Sequence, residues 1–133
     1  MRRQSRELSL QILFQTEFAP QMNIKDLSAV FEKTFEPSVM DYTMTVVQGV
    51  KAHIEKIDSK ISTASAHWKI DRMASVDRNI LRIAVYEMLM AKETLEPKIV
   101  INEAIEIAKI FGTQESSAFV NGILDQILRN ERA

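Results

Sequence analysis

The sequence predicts an all-α fold, a single domain of about seven helices over residues 1–133, and three observations lead there. Apolar residues return every three to four positions along nearly the whole chain, the period of a helix with one buried face. No segment keeps the two-residue alternation of a half-buried strand; Ile99-Val100-Ile101 is the one β-like run, too short to build a sheet. Connectors are short, and no low-complexity tract or internal repeat divides the chain. Amphipathic helices must bury their stripes on one another, so a bundle follows. A chain of 133 residues, 46% of them hydrophobic, is long enough to build its core.

Leu10, Leu13, Phe14 and Phe18 set the stripe of a first helix, widened by Leu8 and Ile12, and Ala19-Pro20 ends it. Asn23 suits the N-cap of a second helix, with Asp26 in its first turn and Ile24, Leu27, Val30, Phe31 and Phe35 on its inner face. Glu36-Pro37 breaks the pattern, and Ser38 can cap the next helix. Val46, Val47, Val50, Ile54, Ile57 and Ile61 then continue the stripe across residues 39–65 as one helix or two, and Gly49 inside it weighs against continuity. After a turn near Ile70–Ala74, Ser75 is the expected cap of a helix burying Val76, Ile80, Leu81, Ala84, Val85, Met88 and Leu89. Ile101, Ala104, Ile105, Ala108 and Phe111 mark the next, closed by Gly112 as a left-handed C-cap. Val120, Ile123, Leu124, Ile127 and Leu128 mark the last.

Composition narrows function. With no cysteine, a disulfide framework and thiolate metal sites are excluded, and a reducing setting is natural. No apolar run approaches the ~20 residues needed to span a bilayer, and the N-terminus lacks a signal-peptide core, so the chain reads as cytoplasmic with no membrane role. His53 and His67 form no ligand pattern, so no metal and no cofactor are expected. Glycines number three and build no phosphate loop, and the acids alternate with bases as on solvated helix faces. Glu103 and Glu106 are the best carboxylate pair, but an exposed stripe explains them. Catalysis has no support; binding does.

The net charge is -1, so any nucleic-acid contact must come from local clustering. Arg2, Arg3 and Arg6, with Gln4 among them, place three positive charges ahead of the first acid, Glu7. Guanidinium groups fit phosphates bidentately and stack on bases. A charged, frayed terminus is the plainer reading, although cations at a helix N-terminus oppose the macrodipole. Phe111 and Phe119 flank the Gly112–Ser117 connector, either as core plugs or as stacking surfaces for unpaired bases. Gly122 inside a helix costs roughly 1 kcal/mol against alanine, which points to close helix approach or to a backbone surface kept open.

Three stretches together resemble the NusB transcription antitermination factors. They are Arg2-Arg3-Gln4-Ser5-Arg6-Glu7 followed by Leu10-Gln11-Ile12-Leu13-Phe14; Asp77-Arg78-Asn79-Ile80-Leu81-Arg82-Ile83-Ala84-Val85-Tyr86-Glu87-Met88-Leu89; and Ile101-Asn102-Glu103-Ala104-Ile105-Glu106-Ile107-Ala108-Lys109, then Phe111-Gly112 and Phe119-Val120-Asn121-Gly122-Ile123-Leu124-Asp125. The resemblance implies two packed helical sub-bundles. It also implies a heterodimer with the ribosomal protein NusE that binds single-stranded boxA RNA and joins the RNA polymerase antitermination complex, chiefly in ribosomal RNA operons. By position it gives Arg2, Arg3, Gln4 and Arg6, with Phe111, Ser116 and Phe119, to RNA contact, and Phe14 and Asp77 to the protein partner. The arginine segment is short and without lysine, and Ala118 stands where relatives often carry one. Three arginines on phosphates give a salt slope of only about -2 on single-stranded RNA, so weak binding alone and tighter binding as a heterodimer are expected. NusB-like domains also serve as appendages of RNA methyltransferases, for which this chain has no room. A helical adaptor or homodimer without an RNA role is the other alternative.

Overall fold

The computed structural model describes residues 2–132, and among them seven α-helices and no strand. They are α1 (Arg2–Phe18), α2 (Ile24–Glu32), α3 (Pro37–Ala52), α4 (Ile54–Ala64), α5 (Ser75–Val85), α6 (Pro97–Phe111) and α7 (Ser116–Arg132). A 3₁₀ turn, Ile70–Arg72, precedes α5, and a π-turn, Tyr86–Met90, follows it. Helices α1, α2 and α3 pack together, as do α4, α5, α6 and α7, and α5 lies against α1 as well. This is the two-sub-bundle arrangement, joined through α5. Ile12, Val46, Val47, Val50, Leu81, Val85, Val120 and Leu124 are fully buried in one continuous core. No described helix is long and apolar enough to cross a membrane.

Several local expectations are corrected. The stretch after Pro37 forms two helices, but the break falls at His53 (φ -113°, ψ 20°) and not at Gly49, where α3 runs on. Gly49 serves packing: a Cβ there would penetrate the Tyr86 ring, so its absence lets that ring lie on α3. Beyond the break the packing partners change: α3, with Val46, Val47 and Val50 buried, lies against α1 and α5, and α4, with Ile57 and Ile61 buried, lies against α5 and α7. Asn23 does cap α2, accepting from Lys25 N–H at 2.8 Å. Ser38 and Ser75 are not caps; each lies inside its helix, after Glu36 and Ala74 respectively, and Pro37 opens α3. Gly112 is extended (φ -95°, ψ -167°) and not left-handed. It is required because a Cβ would collide with Ser116, which folds back beneath the connector. Phe18 (71% exposed) and Val30 (68%) project outward from stripes expected to be inward.

Candidate RNA and partner interface

Helix α1 brings the arginine cluster to the middle of α6. Its first turn holds no acid, and the carboxylate that meets its arginines is Glu103 of α6. Arg3 grips Glu103 with two parallel bonds, Nε to Oε1 at 3.0 Å and Nη2 to Oε2 at 2.6 Å, while its side chain stays 45% exposed. Arg2 is exposed and lies 4.5 Å from the centroid of the Tyr42 ring, a cation–π contact. Gln4 is exposed beside them.

Arg6, which the resemblance gives to RNA contact, does not lie on this exposed surface. Its side chain is 6% exposed; Nε donates to Glu87 Oε1 at 2.7 Å and Nη1 to Glu103 Oε1 at 3.3 Å. The other Glu87 oxygen accepts the Tyr42 hydroxyl. Both oxygens of that buried carboxylate are therefore bonded, the condition under which a buried charge is tolerated. Burial, then the bond to Glu87, pushes the Tyr42 phenol well above its ordinary value. Arg2, Tyr42, Glu87, Arg6, Glu103 and Arg3 thus form one chain of contacts joining α1, α3, the π-turn and α6. The two outer arginines, Arg2 and Arg3, rest on the ends of this chain of contacts.

Eight residues along α6 from Glu103, roughly 12 Å at the helical rise, Phe111 is half-buried at the helix end. Ser116 is fully buried, its Oγ accepting from Thr113 N–H at 2.8 Å. It shapes the connector from beneath and is not part of the exposed surface. Phe119, in the first turn of α7, is half-buried and meets Trp68 edge to face, centroids 6.2 Å apart. The arginines and the aromatics occupy two stations linked by α6 rather than one pocket.

At the other end of α1, Phe14 is half-buried and carries exposed Phe18 edge to face, 4.7 Å away. One turn on from Phe14, Glu17 accepts from Ser75 and from Arg78 and Arg82 of α5, the last two at 2.7 and 3.0 Å. This ties Phe14 to the first turn of α5, where Asp77 sits. The Asp77 Oδ1 atom is buried with no hydrogen-bond partner among the described residues. Sequence reading missed Trp68, Tyr42, Glu17 and Glu87; of these, Glu87 alone had a local signal, its place on an apolar stripe.

Two of these carboxylates set an acid limit. Burial raises the Glu17 carboxyl, but the bonds from Arg78 and Ser75 and the charges of Arg78 and Arg82 outweigh it and hold it below its ordinary value. The Arg3 hydrogen bond, opposed in part by burial and aided by the Arg3 and Arg6 charges, holds Glu103 low as well. A carboxyl depressed in the folded state stabilises fully above its unfolded value, about 4.3, and that stabilisation is lost as pH falls through the folded value. Thermal midpoints should therefore drop between about pH 5 and pH 3. Glu17→Gln should be less stable than the parent at neutral pH and lose less on acidification; equal losses would contradict the role given to Glu17.

Comparison with known proteins agrees with this architecture. The NusB family matches residues 3–129. The chain is 58% identical over 126 residues to the transcription antitermination protein NusB of Bdellovibrio bacteriovorus, covering 95% of this chain and 93% of that one. It is 45% identical over 129 residues to that of Anaeromyxobacter dehalogenans, covering 95% and 89%. The fold is similar to NusB of T. maritima (TM-score 0.88, 37% identity, 97% and 91% covered). It is also similar to a chain in a structure of the antitermination factors NusB and NusE in complex with double-stranded RNA (TM-score 0.84, 28% identity, 97% and 96% covered). On fold, sequence and the residues matched, the chain belongs to the NusB family.

Proposed function

We propose that this chain is a non-enzymatic, cytoplasmic antitermination factor, one domain over residues 1–133, that binds boxA-type single-stranded RNA jointly with NusE. The observation that carries the reading is the placement of Arg2 and Arg3. Both face solvent at the start of α1, held in place by Tyr42 and Glu103, and α6 leads from them to Phe111 and Phe119. Phosphate contact with aromatic stacking farther along is how single strands are held. An incoming phosphate must take Arg3 from Glu103, which limits affinity. Phe14, Phe18 and Asp77 supply the partner surface at the opposite end of α1, so both partners can be held at once. The family's association with NusE and RNA in a solved complex supports this.

The test is a titration of labelled boxA-type RNA against the protein, with and without NusE, over a range of salt. With Arg6 withdrawn into the interior, two arginines remain for phosphates, and the slope contributed by this chain should be about -1.4 rather than -2. Arg2→Ala/Arg3→Ala should remove that contribution and weaken binding, while Arg3→Ala alone should take away about half of it. Unchanged affinity and slope in the double variant, with NusE association intact, would leave a helical adaptor.

A further inference from the structure

We infer that Trp68 and Phe119 form a stacking platform for one unpaired base of the bound RNA, an inference that rests on the RNA-binding reading. Trp68 is the single tryptophan of the chain and is 57% exposed, unusual for so large an apolar side chain. It lies outside the helices, yet its backbone is fixed. Trp68 N–H donates to the Ser65 carbonyl at 3.1 Å, and the buried Ser65 hydroxyl reaches the Trp68 carbonyl at 3.1 Å and the Ile61 carbonyl at 2.8 Å. The indole is therefore held out into solvent by a tied loop.

The two rings stand at 88°, so they form the walls of a right-angled corner. A flat base stacked on one wall meets the other edge to face, the two favoured aromatic geometries at once. Gly122 lies one helical turn after Phe119 and is exposed, and a Cβ there would meet nothing within 4 Å. No packing inside the chain explains a glycine that weakens α7, whereas a flat backbone beside the corner leaves room for a nucleotide. Close helix approach, one of the two sequence readings of this residue, is thereby removed.

A base fits better than an apolar side chain of a protein. Hot spots for proteins sit inside a broad patch that excludes water. Here the rim is small, polar or basic: Ala66, His67 and Lys69 on the loop, and Ala118 and Asn121 on α7, all exposed. Lys69 makes no ion pair among the described residues and can meet the phosphate of the stacked nucleotide.

The tryptophan is its own reporter. A short boxA-type single-stranded RNA is titrated into the protein, with and without NusE, following binding by anisotropy of the labelled RNA and Trp68 by its fluorescence. Quenching that saturates together with anisotropy is expected. Trp68→Ala should weaken binding about five- to hundredfold with the salt slope unchanged, and Trp68→Phe should recover most of it. Gly122→Leu should raise the thermal midpoint, because leucine suits a helix, and yet weaken RNA binding by crowding the corner. RNA that binds without quenching, or binds Trp68→Ala as tightly as the parent, overturns the platform and leaves the RNA reading intact. Loss of NusE association in Trp68→Ala with RNA affinity unchanged assigns the corner to protein and overturns it too. If the parent binds no RNA under either condition, the functional reading itself fails.

Discussion

Replacing Arg6 with alanine is expected to destabilise the fold by about 3–5 kcal/mol, because it leaves the Glu87 carboxylate buried without its counter-charge. That corresponds to a fall in thermal midpoint of about 10–20 °C. The cost arises from the orphaned anion: Glu87 is 1% exposed on its side chain and would keep only the Tyr42 hydroxyl. Arg6→Met/Glu87→Leu removes both charges in similar volumes and should recover most of the loss, since an apolar replacement of a whole buried pair is often close to neutral. Glu103 retains Arg3 in that variant. The double substitution also separates the two accounts of Arg6. If its work is to brace α1 against α6 and the π-turn, the repacked protein binds RNA within a few-fold of the parent. An RNA affinity and salt slope lowered as far as in Arg3→Ala would show that the guanidinium reaches phosphate after all.

Arg6 also shows which features of the sequence are readable and how they mislead. Charge type draws it into a cluster with Arg2 and Arg3, but register opposes that grouping. Arg6 precedes Leu10 by four and Leu13 by seven, so it falls on the buried stripe of its own helix. Glu87 follows Ile83 by four and Ile80 by seven and continues the buried stripe of α5 into the π-turn. Two opposite charges, each on an apolar stripe, constitute a legible buried pair. Helix periodicity itself is legible because packing follows it everywhere in the core. The breaks are less so: Gly49 reads as an interruption locally, and only the Tyr86 ring lying on it shows that a missing side chain serves packing between α3 and the π-turn. Gly112 is necessary for a different reason from the one its position suggests, since its neighbour Ser116, and not its backbone angle, demands it. Phe18 obeys the period of its stripe, but no element covers that end of α1, and a stripe carries no information about where its neighbours stop. The Trp68–Phe119 corner joins residues 51 positions apart and leaves no local trace.

That uncovered end of α1 gives the second large effect. Phe18→Glu is expected to weaken association with NusE by about thirtyfold or more, the consequence of losing an aromatic anchor worth about 2 kcal/mol. Stability should change by no more than about 0.5 kcal/mol, since the ring is 71% exposed and leaves no cavity. Phe18 stands on Phe14, so the two present one aromatic ridge, and Glu17 between them anchors the ridge to the first turn of α5. There Asp77 is half-buried, and on the proposed partner surface the exposed part of its carboxylate would meet a partner's donor. Asp77→Ala removes that acceptor and should weaken association, while its cost to stability is limited to the lost first-turn charge of α5, at most about 1 kcal/mol. Isothermal titration with NusE, alongside thermal melts of each variant, checks both. RNA affinity measured without NusE should remain at the parent's value in either variant, since the arginines and the Trp68–Phe119 corner lie elsewhere. Undiminished NusE binding by Phe18→Glu would place the partner on another face and leave the ridge without an occupant.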